Sequence, residues 1–164
     1  MGQPDTSLPT TLVIFGASGD LTERKLIPAL FSLYRRDRLP GRLQIVGSAR
    51  SPFSDEQFRA HLRDGAERYA TEDFDAAAWD RFAATISYLP GDSSAADDYT
   101  RLETFLREKE GGPANRLYYL AVAPSLITGM QLVERLVPSQ RLTEGLTVAM
   151  AGLTVGFAGG ATSS

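Results

Sequence analysis

The 164-residue chain has no cysteine, which excludes a disulfide framework, a thiolate metal site and a cysteine nucleophile. It has one histidine, His61, in the polar stretch RAHLRD, where a solvated surface position is expected. Basic excess is also lacking. With a formal net charge of -3 and a pI near 5.2, nothing offsets the charge of a phosphate polymer, so nucleic acid is not expected as a partner. Only two of the 17 cations are lysine, which reads as coding bias. Met1–Pro9 has neither the positive start nor the apolar middle of a secretory signal, and it is expected to be a flexible leader to a cytoplasmic protein. Gly2–Thr6 matches a myristoylation pattern only loosely, with Pro4 inside it and no polybasic stretch beside it. Gly145–Ser164 is free of charge, but five glycines and its Ser/Thr content suit it poorly to hydrocarbon. No membrane association is expected.

What is present is an alternation of short apolar runs with longer amphipathic segments. Thr11–Phe15 (TLVIF) reads as a buried strand, followed by a helix over Leu21–Arg36 with Leu26, Leu30 and Leu33 at helical intervals. Gln44–Gly47 predicts a second strand. Ser54 is the expected cap of the next helix, with Asp55 and Glu56 in its first turn. A short helix over Asp75–Ala84 and a strand at Ile86–Leu89 follow. Ser94–Glu110 predicts a helix closed by Gly111, Gly112 and Pro113, then Arg116–Val122 a fourth strand and Pro124–Leu136 a last helix. Strands separated by helices imply parallel pairing through right-handed crossovers. The expected class is therefore α/β, a doubly wound, Rossmann-like, mostly parallel sheet, incomplete at its carboxyl end.

The turn between the first strand and its helix, GASGDL over Gly16–Leu21, carries the most chemistry. A phosphate placed there meets backbone N–H groups and the positive end of a helix dipole, worth roughly half an elementary charge. Gly16 permits the tight turn, and Gly19 removes a side chain where the backbone must approach a diphosphate. A P-loop is excluded, because Leu21 and Thr22 stand where glycine and lysine are required. A hydrolase nucleophile elbow around Ser18 fails at Asp20, which replaces its final glycine. A plain strand-to-helix turn that uses glycine for geometry alone is the competing reading. After the second strand the chain runs Ser48, Ala49, Arg50, Ser51, with no carboxylate until Asp55. Arg50 offers a planar guanidinium for a 2'-phosphate and Ser51 a further donor, which favours NADP over NAD; an ordinary exposed loop cation is the alternative for Arg50. No tyrosine is followed four residues on by lysine, so the short-chain dehydrogenase arrangement is absent.

Three ordered blocks carry a closer likeness: FGASGDLTERKLIPAL at Phe15–Leu30, IVGSARS at Ile45–Ser51 and NRLYYLAVAPSL at Asn115–Leu126. Together they resemble the NADP-binding amino-terminal domain of the glucose-6-phosphate dehydrogenase family. The resemblance implies oxidation of glucose 6-phosphate to 6-phosphogluconolactone with NADP as hydride acceptor, the entry step of the pentose phosphate pathway. It assigns Gly16, Ala17, Ser18, Gly19, Asp20 and Leu21 to the coenzyme diphosphate, Arg50 to the adenosine 2'-phosphate and Lys25 to the basic position after the turn. Tyr119, Ala121 and Pro124 match the strand end on the nicotinamide side. No catalytic residue and no metal ligand is assigned.

The chain also departs from the family's pattern. Thr22 stands where the family often has alanine, an enlargement expected to loosen helix packing, and Ala123 replaces a frequent proline. The family's EKPFG strand, with a lysine that contacts substrate and coenzyme, is absent. So is the second domain with its catalytic histidine, on which sugar-phosphate binding and any oligomer depend. The expected organisation is a flexible segment 1–9, a coenzyme domain 10–136 and an atypical low-charge tail 137–164, read as truncated or out of frame from near Pro138. Alternatively the tail adds an edge strand, Leu146–Met150, to a sheet otherwise left open and prone to aggregate. The chain is thus expected to hold coenzyme without turning it over alone, with a stand-alone NADP-binding regulatory module as the second reading.

Overall fold

The computed structural model describes residues 8–70, 72, 74–92, 95–121, 147–150 and 153–156. β1 (Thr10–Phe15) pairs in parallel with β2 (Leu43–Ala49) on one side and β4 (Asn115–Leu120) on the other. β3 (Ile86–Pro90) pairs outside β2. Thr147–Met150 forms β5, parallel to β4, and Leu153–Gly156 forms β6, antiparallel to β5. The sheet order is β3-β2-β1-β4-β5-β6. The tail therefore does add a strand within the expected Leu146–Met150, on the side of β4 away from β1. The edge itself belongs to β6, which the sequence reading does not anticipate.

After β1 the chain enters a π-helical turn, Thr22–Leu26, and then α1 (Ile27–Arg35). α2 (Asp55–Tyr69) and α3 (Ala76–Ala83) link β2 to β3, and α4 (Ala96–Glu110) links β3 to β4. The side chains divide as the period of two along a strand requires. Ile14, Ile45 and Ile86 join Ile27 and Phe31 of α1, Phe58 and Leu62 of α2, and Trp79 and Phe82 of α3 in one core. Val13, Phe15, Val46, Tyr118 and Leu120 meet Tyr99, Leu102 and Leu106 of α4 on the opposite face. Of the stripe expected on this helix, Leu26 and Leu30 pack half-buried against the core and Leu33 is exposed, while Ile27, Pro28 and Phe31 are the buried residues. The last predicted helix, Pro124–Leu136, lies outside the described residues.

Local signals explain where the helices begin and end. Gln57 N–H donates to Ser54 Oγ at 3.2 Å, and Ser54 N–H donates to Gln57 Oε1 at 3.0 Å, a reciprocal capping box. Asp75 caps α3 by accepting from Ala78 N–H at 2.7 Å. Gly111 ends α4 at φ 65°, a left-handed position that glycine takes without strain. Ser54→Ala removes one arm of the box and is expected to cost about 1 kcal/mol, measured as a lowered urea midpoint at unchanged slope.

Ionic contacts gather at the opposite end of β4 from the Gly-rich turn. Arg116 donates to Glu110 Oε2 at 2.7 Å and to Glu103 Oε2 at 2.6 Å, fastening the start of β4 to α4. Lys109 Nζ donates to Ser87 Oγ at 2.8 Å, which fastens the same helix to β3.

Candidate functional site

The site follows from the order in which the strands are laid down. From β1 the chain moves outward through β2 to β3, then returns across the sheet to place β4 on the free side of β1. β2 and β4 thus flank β1 on opposite sides, which makes the carboxyl end of β1 the topological switch point, where ligands sit in open α/β sheets. The Gly-rich turn leaves β1 at this point. The end of β2 and the loop after it, residues 48–51, lie beside it, and Ala121 follows β4 on the other side, with its N–H donating to Phe15 O at 2.9 Å.

Gly16 has φ 74°, the left-handed conformation that the sequence assigns to it. Its N–H and that of Ala17 both donate to the Ser48 carbonyl, at 2.9 and 3.2 Å, and Gly19 N–H donates to Gly16 O at 3.0 Å. These three donors are thus used in shaping the turn rather than left for a ligand. The N–H groups of Ser18, Asp20 and Leu21 donate to no described residue. A Cβ at Gly19 would lie 3.1 Å from Gly16 O, tight enough to require movement of the turn. Asp20 is exposed and pairs with Arg24 one helical turn on, at 3.2 Å.

The structure brings together two residues 33 positions apart. Ser51 Oγ donates to Ser18 Oγ at 3.0 Å, which joins the loop after β2 to the Gly-rich turn. Arg50, beside Ser51, is exposed and forms no ion pair with another described residue. Lys25 is also exposed, on the π-helical turn. Tyr119 is half-buried and packs, with Ala121, against the core that contains α1, α2 and α3. Pro124 lies outside the described residues.

Other expectations are corrected. His61 is only partly solvated: its ring stacks on Phe53 with centroids 5.5 Å apart, and its Nε2 lies buried, 3.7 Å from Glu23 Oε2, without a hydrogen bond among the described residues. Polar neighbours in sequence do not reveal that Phe53 covers this face of α2. Thr22 lies where the chain takes up π-helical geometry. It is fully buried, and the π-helical stretch starts there after two α-helical residues, Asp20 and Leu21. The Thr22 hydroxyl has no hydrogen-bond partner among the described residues.

Further residues of the site escape the sequence reading. Tyr88 OH contacts the carbonyls of Ala49 and Ser51 at 3.0 and 2.6 Å, and Tyr88 N–H donates to Asp55 Oδ1 at 2.7 Å. Gly47 is another. A Cβ there would stand 2.6 Å from the Phe58 ring and 2.9 Å from Ala17 Cβ, so its bare backbone is what lets α2 and the turn close on β2. A glycine inside a strand is the one signal that could have marked it.

Strand order, a glycine turn at the switch point and a short link to the loop after β2 define a Rossmann-like domain of the nicotinamide-dinucleotide-binding kind. A family profile described as the NAD binding domain of glucose-6-phosphate dehydrogenase matches residues 13–144. The chain belongs to the glucose-6-phosphate dehydrogenase family. It is 40% identical over 120 residues to glucose-6-phosphate 1-dehydrogenase of Chlamydia muridarum, covering 71% of this chain and 24% of that protein. The corresponding enzyme of Mycolicibacterium smegmatis is 36% identical over 121 residues, with 72% and 24% covered. Among solved structures, a glucose-6-phosphate dehydrogenase in complex with its substrate glucose 6-phosphate superposes with a TM-score of 0.71 at 33% identity, covering 80% of this chain and 28% of that one. Glucose-6-phosphate 1-dehydrogenase from Mycobacterium avium gives the same score and identity, with 87% and 29% covered. The chain spans about a quarter of the length of these curated relatives. No helix among the described residues is long and apolar enough to cross a membrane.

Proposed function

We propose that this chain is the coenzyme-holding part of a cytoplasmic glucose-6-phosphate dehydrogenase, selective for NADP over NAD. The observation that carries this reading is the Ser51–Ser18 hydrogen bond, which sets an exposed arginine beside a glycine turn that has N–H groups to spare. The N–H groups of Ser18, Asp20 and Leu21 would bind the diphosphate, with Gly19 free of a side chain where the two backbones meet. Arg50 would take the adenosine 2'-phosphate as a planar, permanently charged fork. Lys25 would add positive charge beyond the turn. Tyr119, Ala121 and Pro124 would border the nicotinamide at the end of β4. Bound NADP supplies the hydride acceptor. The chain's own residues orient it, and sugar-phosphate binding and proton abstraction fall to the length of the relatives that this chain does not span.

Calorimetric titration of the 164-residue protein with NADP and NAD tests the reading, alongside an assay for glucose 6-phosphate oxidation. NADP is expected to bind more tightly, and no turnover is expected. Arg50→Ala should weaken NADP binding about tenfold, the worth of a charge-assisted hydrogen-bonded contact, with NAD affinity held within about twofold. Unchanged NADP affinity in Arg50→Ala would remove the anchor. Absence of binding by either dinucleotide to the folded protein would remove the site.

A further inference from the structure

We propose that Tyr88 is a positioning residue for NADP selectivity, its hydroxyl gripping the backbone on both sides of Arg50. The proposal rests on the reading of Arg50 as the 2'-phosphate anchor. Tyr88 belongs to β3, whereas Arg50 follows β2. A phenol has one proton, and here that proton faces two carbonyls, Ser51 O at 2.6 Å and Ala49 O at 3.0 Å, which are the residues immediately after and before Arg50. The contact therefore holds the 49–50 and 51–52 peptide units, one directly before Arg50 and one a residue beyond it, while leaving the Arg50 side chain exposed.

The tyrosine is itself held from three directions. Its ring packs on Phe58 with centroids 4.6 Å apart and edge-on to Phe53 at 5.7 Å, and its N–H donates to Asp55 Oδ1 at 2.7 Å. Burial pushes the phenol up to about 12, so the hydroxyl remains a donor throughout the neutral range. A long side chain on a loop loses less freedom on binding when its backbone is already fixed, and such preorganisation enters affinity directly. Ala49 O also accepts from Gly91 N–H at 2.9 Å, and Ser51 O from Phe53 N–H at 3.0 Å. Removing the hydroxyl therefore leaves neither carbonyl without a donor, and Tyr88→Phe keeps the ring packing.

The test measures NADP and NAD affinity by calorimetry on the 164-residue protein and on Tyr88→Phe, Arg50→Ala and the double variant. Tyr88→Phe is expected to weaken NADP about fivefold and to change NAD less than about twofold, the loss of one neutral hydrogen bond acting through Arg50 alone. In the Arg50→Ala background the same change should have no further effect on NADP, because the group being positioned is gone. Equal weakening of NADP and NAD would show a general packing role and overturn the proposal. So would unchanged NADP affinity in Tyr88→Phe when Arg50→Ala weakens it. If Arg50→Ala leaves NADP unaffected, the underlying anchor reading fails instead. Should Tyr88→Phe not fold, the wild-type NADP complex decides by proton NMR. A protected Tyr88 hydroxyl proton with Overhauser contacts to the Arg50 backbone supports the proposal, and a rapidly exchanging one overturns it.

Discussion

Gly65→Ala is expected to destabilise the protein by about 2 kcal/mol, although alanine is the better helix former. Gly65 lies inside α2, where replacing glycine by alanine ordinarily gains about 1 kcal/mol through chain entropy and helix propensity. Here a Cβ would meet Glu23 O at 2.5 Å and Glu23 Cγ at 2.6 Å. The side chain could swing away, but the carbonyl belongs to the π-helical turn and moves only with its backbone. Overpacking of this kind costs about 3 kcal/mol, which exceeds the propensity gain. Urea unfolding followed by circular dichroism measures the difference. A variant as stable as the parent would mean that α2 and the π-helical turn can part without penalty.

Phe31→Ala should cost more, about 4 kcal/mol, against a total of roughly 5–15 kcal/mol for a domain. Phe31 is fully buried and touches four other aromatic rings: Trp79 edge-on at 5.4 Å, Phe82 at 5.5 Å, Phe74 at 5.9 Å and Tyr34 at 6.5 Å. Truncation removes the ring's own transfer free energy and leaves a cavity among large, stiff neighbours that have few ways to collapse into it. The expected result is a melting temperature lower by about 10 °C and a reduced near-ultraviolet signal from Trp79. A loss below about 1 kcal/mol would show that the neighbouring rings refill the space.

The parts of this molecule that were legible in its sequence are those encoded locally. β-branched runs ending in glycine mark the strands, and Ser54 marks the start of α2. GASGDL marks the turn for the same reason, since its geometry depends on glycine at Gly16 and not on a distant partner. What escaped depends on contacts across long stretches of chain. The Tyr88 hydroxyl reaches the backbone 37 and 39 positions earlier, and no period or spacing announces it. The closeness of Gly65 to Glu23, the stacking of His61 on Phe53, and the burial of Phe31 in preference to Leu33 are likewise set by how helices come to rest on the sheet. The glycine turn was readable as a motif, but the Ser18–Ser51 bond that ties it to the loop carrying Arg50 was not.

The position of β4 beside β1 has a consequence for synthesis. Thr10 sits opposite Asn115, and Phe15 opposite Leu120, so one side of the switch point is made about a hundred residues after the other. A nascent chain that has released only β1 to β3 from the ribosome has the glycine turn but nothing across from it. A ligand stabilises only the states that bind it, so coenzyme in the cell would begin to favour the folded form only after Leu120 has emerged and docked.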